Sequence, residues 1–586
     1  MTSVRQILRC ARRLGQLSES GRKVSNRSVT YMSTQPRQKI IEDENGKKIF
    51  PSPHGEITPS DMLLHEHIWK NIGNYADKIA LECAVTGRKY TYSEARDASN
   101  YVARSLRNMG FTKGDIIALI SPNYPETIIG AIGSLEADLT VTTVNPTYTP
   151  EEIMRQLKVT SPKVILTVAQ IARIAVLAFK DYLPPGVPII AIEDGTGPIP
   201  EGTVPFKDLI TRGKTLPPIK NYQMTTHDTA VLPFSSGTTG LPKGVILTHR
   251  NLVSNIQMVD QTAAGKMWRD TIGDLQEVSP VFLPFFHIFG MNCCVLPRLA
   301  AGTKLITLPN FLPELFLDVL TKHKVTGLFL VPPIVMFLAT SPLMKKEHFE
   351  SMHHFVSGAA PLAEQDVQRF YEKFQINQEK LKFCQGYGLT ETSPVICLNI
   401  DGKKPGSIGK NIASSEIRLV DPVTNNDIFS PGQTGELWVR GPHVMKGYFG
   451  NESATREMIT EDGWLKSGDI GYYDEEFDFF LTDRMKELIK VKGFQVAPAE
   501  LEAVLRTHPA VQEAAVIGVS DQRSGELPKA FVVLKKGATV KAEDIKDFVK
   551  NKVTEFKRLE GGVVFVDSIP LTASGKIQRT KLKEYK

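Results

Sequence analysis

SSGTTGLPKG, residues 235–244, follows an apolar run at 230–234 and packs three glycines, four hydroxyls and a lysine into ten positions. Gly237 and Gly240 let the backbone bend and approach oxyanions closely. Ser235, Ser236, Thr238 and Thr239 donate hydrogen bonds, and Lys243 adds a positive charge. The stretch is predicted to hold nucleotide phosphates. It is not the GxxxxGK[ST] P-loop, because Lys243 is followed by Gly244 and the glycine spacing differs.

Outward from this loop the chain alternates β-rich runs with amphipathic stretches, such as 116–120 before 127–135 and 139–144 before 151–157. That alternation predicts an α/β body with largely parallel sheets. Eight prolines between residues 183 and 222 predict a surface connection leading to the loop. After Pro405 shorter strands with turn signals, as in TGELWVRGP at 434–442, predict a β-rich subdomain. A charged crossing, DRMKELIK at 483–490, leads to a helix at 499–506, strands at 512–519 and 529–534, a helix at 542–556 and a strand at 563–566. The expected architecture is therefore α/β. A large body of several subdomains spans 45–483, and a small α+β unit at 484–586 closes on the loop PLTASGKIQR, residues 570–579.

At 586 residues the chain is too long for one ordinary domain. Its apolar runs are broken within a few residues, and none approaches the length needed to span a bilayer. The net charge of +6 is concentrated at one end. Residues 1–40 hold nine Arg or Lys against one acid, Glu19, a net of +8 that leaves −2 on the rest, so the body is not a polyanion or nucleic-acid binder. Cysteines at 10, 83, 293, 294, 384 and 397 form no CxxC pair or zinc spacing, which favours a reducing compartment and no metal framework. Val4, Ile7, Leu8, Ala11 and Leu14 fall on one helical face, and Arg5, Arg9, Arg12 and Arg13 on the other. Residues 1–35 thus read as a mitochondrial transit peptide, with a disordered basic tail as the alternative. The terminus KLKEYK is not the peroxisomal SKL signal.

Four further strings join the first loop: SGAAPL (357–362), QGYGLTET (385–392), SGDIGYYD (467–474), and the pair DRMKELIKVKGFQV (483–496) with PLTASGKI (570–577). Together, from about residue 60 to the end, they resemble the adenylate-forming superfamily of acyl-CoA synthetases, plant 4-coumarate:CoA ligases and firefly luciferases. The resemblance implies an adenylation body and a mobile C-terminal lid. It also implies a two-step reaction, in which a carboxylate attacks the α-phosphate of ATP to give acyl-AMP and pyrophosphate, and a thiol, CoA, then displaces AMP. Lys576 resembles the adenylation lysine that meets charge building on the phosphoryl oxygens. Thr390 resembles the hydroxyl on the α-phosphate and Glu391 the carboxylate that helps hold Mg2+. Asp469 resembles the ribose-binding carboxylate, with Arg484 assisting. Tyr387 is expected to stack on adenine within Gln385, Gly386 and Gly388, and Gly358, Ala359 and Ala360 to line it. The lid is expected to rotate about 483–486, including Lys486. One face would present Lys576 and the other Lys490, Lys492 and Gly493, with Gln495 on AMP and Lys492 and Gly493 meeting CoA.

His287 sits where the family places a histidine between nucleotide and acyl pocket. Phe289 and Cys293 stand where the plant ligases carry Tyr and Ser, and Asn310 stands where they carry a lysine for CoA. The lost hydroxyls would leave a phenolic substrate unpaired at a cost of about 1 to 3 kcal/mol, so an apolar fatty acid is the expected substrate. A 4-coumarate-type aromatic acid and a luciferase-like monooxygenation are the alternatives. Peripheral membrane contact is compatible with the sequence.

Overall fold

The structure, a computed structural model, describes residues 39–178, 186–235, 242–263, 267–362, 364–485, 487–491, 494–572 and 575–585. The predicted transit peptide at 1–35, the loop residues Ser236, Gly237, Thr238, Thr239 and Gly240, and Lys486, Lys492 and Gly493 lie outside the described residues.

Strands Ile116–Ile120 and Thr140–Thr143 pair in parallel around helix Pro125–Glu136. The same sheet runs in parallel through Thr229–Leu232 on one side and Val164–Val168, Ile189–Ile192 and Val204–Pro205 on the other. Helix starts follow local chemistry. At Tyr92–Asn108 the Thr91 hydroxyl accepts from the Glu94 N–H while Glu94 accepts from the Thr91 N–H. Thr149 and Glu152 do the same before Pro150–Thr160. Helix Pro125–Glu136 is buried along its whole length. Gly133 lets it press on helix Tyr92–Asn108, since a Cβ there would lie 2.6 Å from the Ser99 carbonyl oxygen.

The proline-rich stretch departs from the sequence reading. It holds a buried strand, Ile189–Ile192, and a helix, Phe206–Thr215. Pro188 and Pro205 flank these elements, where a missing N–H costs little.

A second sheet orders Val278–Val281, Lys304–Thr307 and Ile79–Cys83 in parallel, with Lys89–Thr91 antiparallel at its edge. The third begins with parallel strands Gly327–Leu330, His354–Ser357 and Lys382–Gly388. It continues antiparallel through Val395–Asn399, Ser407–Asn411, Phe479–Arg484, Leu465–Tyr473, Gly435–Arg440 and Glu416–Val420. The β-rich texture after Pro405 is thus the antiparallel half of a sheet begun earlier, packed over its own core of Phe50, Ile396, Ile417, Leu437, Tyr473 and Phe479.

Beyond residue 488, strands Phe494–Val496, Ile489–Val491, Gly525–Leu534 and Val511–Asp521, with Gly562–Phe565, make a sheet whose core includes Leu501, Leu505, Val516, Val532 and Ile545. The helix expected at 542–556 stops at Lys550, and a short 3₁₀ turn, Glu555–Lys557, follows. Asn551 at its end is a residue that favours termini over helix interiors. No helix among the described residues is long and apolar enough to cross a membrane.

Candidate active site

The site lies at the carboxyl ends of parallel strands, where open α/β sheets place their ligands. A cavity of about 1140 Å³ opens there. Strand Lys382–Gly388 ends at its wall. At Gly388 a Cβ would fall 1.8 Å from the Pro394 carbonyl oxygen, so only glycine permits the tight return that follows. That return presents Thr390 and Glu391 to the cavity. The Glu391 carboxylate accepts hydrogen bonds from the Ser235 hydroxyl at 2.7 Å and the Tyr448 hydroxyl at 2.9 Å. Burial and this carboxylate push the Tyr448 phenol up, so it stays a donor. Strands Phe234–Ser235 and Lys243–Thr248 pair with Ser235 opposite Lys243, and the Lys243 ammonium sits 4.9 Å from the Tyr448 ring centre. The ends of the phosphate-loop motif are thereby tied to the QGYGLTET motif.

Asp469 and Arg484 face each other across neighbouring strands, with Arg484 Nε 3.2 Å from Asp469 Oδ1. Asp469 Oδ2 accepts from the Tyr387 hydroxyl at 2.7 Å. This qualifies the expectation for Asp469, because both its oxygens already have protein partners. A carboxylate offers about four acceptor positions, so ribose hydroxyls must share it with Tyr387 and Arg484. Tyr387 is likewise more than a stacking surface: its hydroxyl fixes the carboxylate.

Lys576 reaches the same cavity from its C-terminal loop. Thr572 Oγ1 accepts from the Lys576 N–H at 3.0 Å, and a Cβ at Gly575 would lie 3.4 Å from Val331, so the loop rests on the body. The Lys576 ammonium makes no hydrogen bond to a described residue. Burial and then the Arg484 cation lower its pKa to about 8 against the pull of Asp469 and Glu391. His287 lies at the cavity wall, and burial, aided by Lys576, lowers it to about 3, so it is neutral near pH 7. Its Nδ1 accepts from the Phe289 N–H at 3.3 Å, which leaves the proton on Nε2. A neutral donor suits a carboxylate neighbour and is a poor general base.

The remaining expected residues divide. Gly358, Ala359 and Gly386 line the cavity. Ala359 has a left-handed backbone, φ +69°, that turns the SGAAPL segment away after its strand. Ala360, Gln385 and Asp469 do not line it, and Gln385 and Asp469 are buried in the sheet. Lys490 is exposed on Ile489–Val491 with its N–H bonded to Glu526, away from the cavity, and the Gln495 backbone pairs opposite it.

The acid side of the cavity is built on the segment after His287. A π-helical turn, Gly290–Val295, runs into helix Leu296–Ala300, and such widened turns recur at functional sites. Phe289 and Cys293 both line the cavity, the thiol being pushed up to about 12 by burial. Gly358 permits the Phe289 ring to approach, since a Cβ there would be 3.1 Å from it. Trp268, Phe329 and Arg298 complete this part of the wall. Sequence reasoning missed Tyr448 and Arg298. For Arg298 a signal existed: it is the only Lys, Arg, Asp or Glu between Glu277 and Lys304. Its presence corrects the picture of a wholly apolar acid pocket.

A lysine and a carboxylate with hydroxyl partners around one cavity, beside an aromatic pocket and with Asp469 held behind the lining residues Tyr387 and Arg484, define an adenylate-forming enzyme. The chain belongs to the AMP-binding enzyme family, whose profile matches residues 68–449, and the family's C-terminal domain matches residues 500–576. It is similar to 4-coumarate–CoA ligase 1 of Arabidopsis thaliana, 38% identical over 561 residues that cover 94% of this chain and 97% of that protein. The corresponding ligase 1 of Solanum tuberosum is 37% identical, covering 92% and 97%. Such relatives place it among the acid–thiol ligases. Among solved structures it resembles ATP-bound MatB from Rhodopseudomonas palustris, with TM-score 0.78, 27% identity and coverage of 90% and 99%. It also resembles the anthranilate CoA ligase AuaEII with anthranoyl-AMP, with TM-score 0.79, 25% identity and coverage of 90% and 98%.

Proposed function

We propose that the protein is an AMP-forming CoA ligase for an aromatic carboxylic acid. The observation that carries the ligase chemistry is the Lys576 ammonium, held without a hydrogen-bond partner among the described residues in the cavity that Thr390, Glu391 and Arg484 also line. The acid's carboxylate oxygen attacks the α-phosphorus of ATP and pyrophosphate leaves. Lys576 and the Thr390 hydroxyl meet the charge that grows on the phosphoryl oxygens. His287 Nε2–H orients the attacking carboxylate. The CoA thiolate then attacks the acyl carbon and AMP leaves. Lys490, outside the cavity here, comes with Lys492 and Gly493 to the site when the C-terminal unit turns for that second step.

Glu391 and the Ser235 hydroxyl are hard oxygen donors and fit a magnesium ion carried in on the nucleotide. Bound there, the ion would neutralise phosphate charge.

The aromatic assignment draws support from the 4-coumarate ligase relatives and from the pocket itself. Phe289 and Phe329 stand edge to face at 6.3 Å, a geometry that accepts another ring, and the wall ends at a cation instead of an alkyl floor. A fatty acid, the expectation from Phe289 and Cys293, has less in its favour. The test is pyrophosphate release from ATP with aromatic, straight-chain and branched acids, with and without CoA. Aromatic acids should give the highest kcat/KM and CoA-dependent AMP release, and a fatty acid exceeding all of them would overturn the assignment.

A further inference from the structure

Arg298 is 4% exposed, yet two of its side-chain nitrogens, Nε and one terminal nitrogen, have no hydrogen-bond partner in the structure. The other terminal nitrogen lies 3.6 Å from Asp260, and the guanidinium lies 4.0 Å from the Trp268 ring centre. An arginine kept only for packing would have its fork of donors filled, because a buried unmet donor is costly. Arg298 lies eleven residues beyond His287, past the π-helical turn and within helix Leu296–Ala300. It stands on the acid side of the cavity beside Trp268 and Phe329. It also forms the partition between this cavity and a void of about 10 Å³ bordered by Glu277, Ser279 and Thr303. That void has room for about one water, too little to satisfy the whole fork. The side chain that carries both donors also lines the acid pocket.

Resting on the CoA-ligase reading, we infer that Arg298 is a specificity-determining residue that hydrogen-bonds an uncharged oxygen at the end of the acid farthest from its carboxylate, a phenolic or terminal hydroxyl. The surrounding charges select against a second carboxylate. Asp260 already pairs loosely with the guanidinium, and Glu277 and Asp270 lie within its electrostatic reach. Another anion would share one cation with them.

The experiment measures kcat/KM for pyrophosphate release by the full chain with two matched pairs of acids: 4-hydroxycinnamate against cinnamate, and 12-hydroxydodecanoate against dodecanoate. In whichever pair is turned over, the wild type should favour the hydroxylated member by roughly 10- to 100-fold. Arg298→Leu should bring that ratio to about one without moving the KM for ATP, and Arg298→Lys should restore part of it. A wild-type ratio below about twofold overturns the inference with no variant needed, as does an equal loss on both members in Arg298→Leu. Turnover confined to the aliphatic pair overturns the aromatic reading alone, because that pair still reports on Arg298. Turnover of neither pair overturns both.

Discussion

Tyr387 and Asp469 are locked together by a 2.7 Å hydrogen bond in which the phenol donates to one carboxylate oxygen while Arg484 holds the other. Burial raises the Asp469 carboxyl, so these partners keep available the charge that a ribose would meet. Tyr387→Phe should raise the KM for ATP about threefold with kcat nearly unchanged. Asp469→Asn should cost roughly 10- to 100-fold in kcat/KM for ATP, within the range of lost hydrogen bonds to charged groups. Steady-state kinetics at saturating acid reads both. An unchanged KM in Asp469→Asn would remove the residue from the nucleotide site.

Lys576→Ala should slow pyrophosphate release by about 10²-fold or more, the scale of a lost transition-state charge partner. Thioester formation from supplied acyl-AMP should survive. Since burial lowers this lysine from the usual range to about 8, the free enzyme holds the charge below that pH and loses it above. The kcat/KM for ATP should therefore fall as pH rises through about 8, and Lys576→Arg, slower overall, should lose that descending limb. Both half-reactions falling together would count against a role confined to adenylation.

Much of this site was legible because its motifs are local. QGYGLTET and SGDIGYYD each place their key side chains on one strand or just past it, so Thr390 and Glu391 follow the end of Lys382–Gly388 and Asp469 lies within Leu465–Tyr473. What escaped was made by contacts distant in sequence. Tyr448 reaches Glu391 across 57 positions, and the Ser235 hydroxyl reaches it across 156. Arg298 was visible as a lone charge in an apolar run, but its meaning depends on which cavity the helix borders. The strand Ile189–Ile192 escaped for a different reason: flanking prolines outweighed a four-residue apolar run that its parallel neighbour buries. The C-terminal unit was read almost element by element, since its strands and helices alternate with clear turn signals.

Arg579 ties the crossing segment to the C-terminal core. Its Nε donates to Glu487 at 2.8 Å, and its terminal nitrogen donates to Glu502 and to the Val516 carbonyl. Glu502 is only 4% exposed, so Arg579→Ala leaves a buried carboxylate short of its counter-charge and should destabilise this unit by about 3 to 5 kcal/mol. Adding Glu502→Gln should recover most of the loss. Denaturant titration of both variants measures it, and a double variant no more stable than the single one would show that the ion pair is not the cause.

The basic amphipathic segment at 1–35 motivates a localisation proposal. Fused to a fluorescent reporter, it should direct mitochondrial import, and changing Arg9, Arg12 and Arg13 to Glu should abolish import without altering the activity of the purified enzyme. Diffuse cytosolic fluorescence from the unmodified fusion would reject it.

Gly358 sets the width of the acid pocket. A methyl group there would stand 3.1 Å from Cζ of Phe289, closer than ordinary contact, and 3.4 Å from Cε1, and the Phe289 ring lines the cavity. Gly358→Ala should therefore push Phe289 inward and narrow the pocket. Overpacking of this kind costs about 1 to 3 kcal/mol, which corresponds to roughly 5- to 100-fold in kcat/KM for a ring-bearing acid. A slim straight-chain acid should lose much less, so the ratio of the two substrates is the quantity to measure, with the KM for ATP as the internal control. An equal loss on both acids accompanied by a raised KM for ATP would mean that the alanine disturbs the nucleotide wall through Ala359, and the width argument would fall.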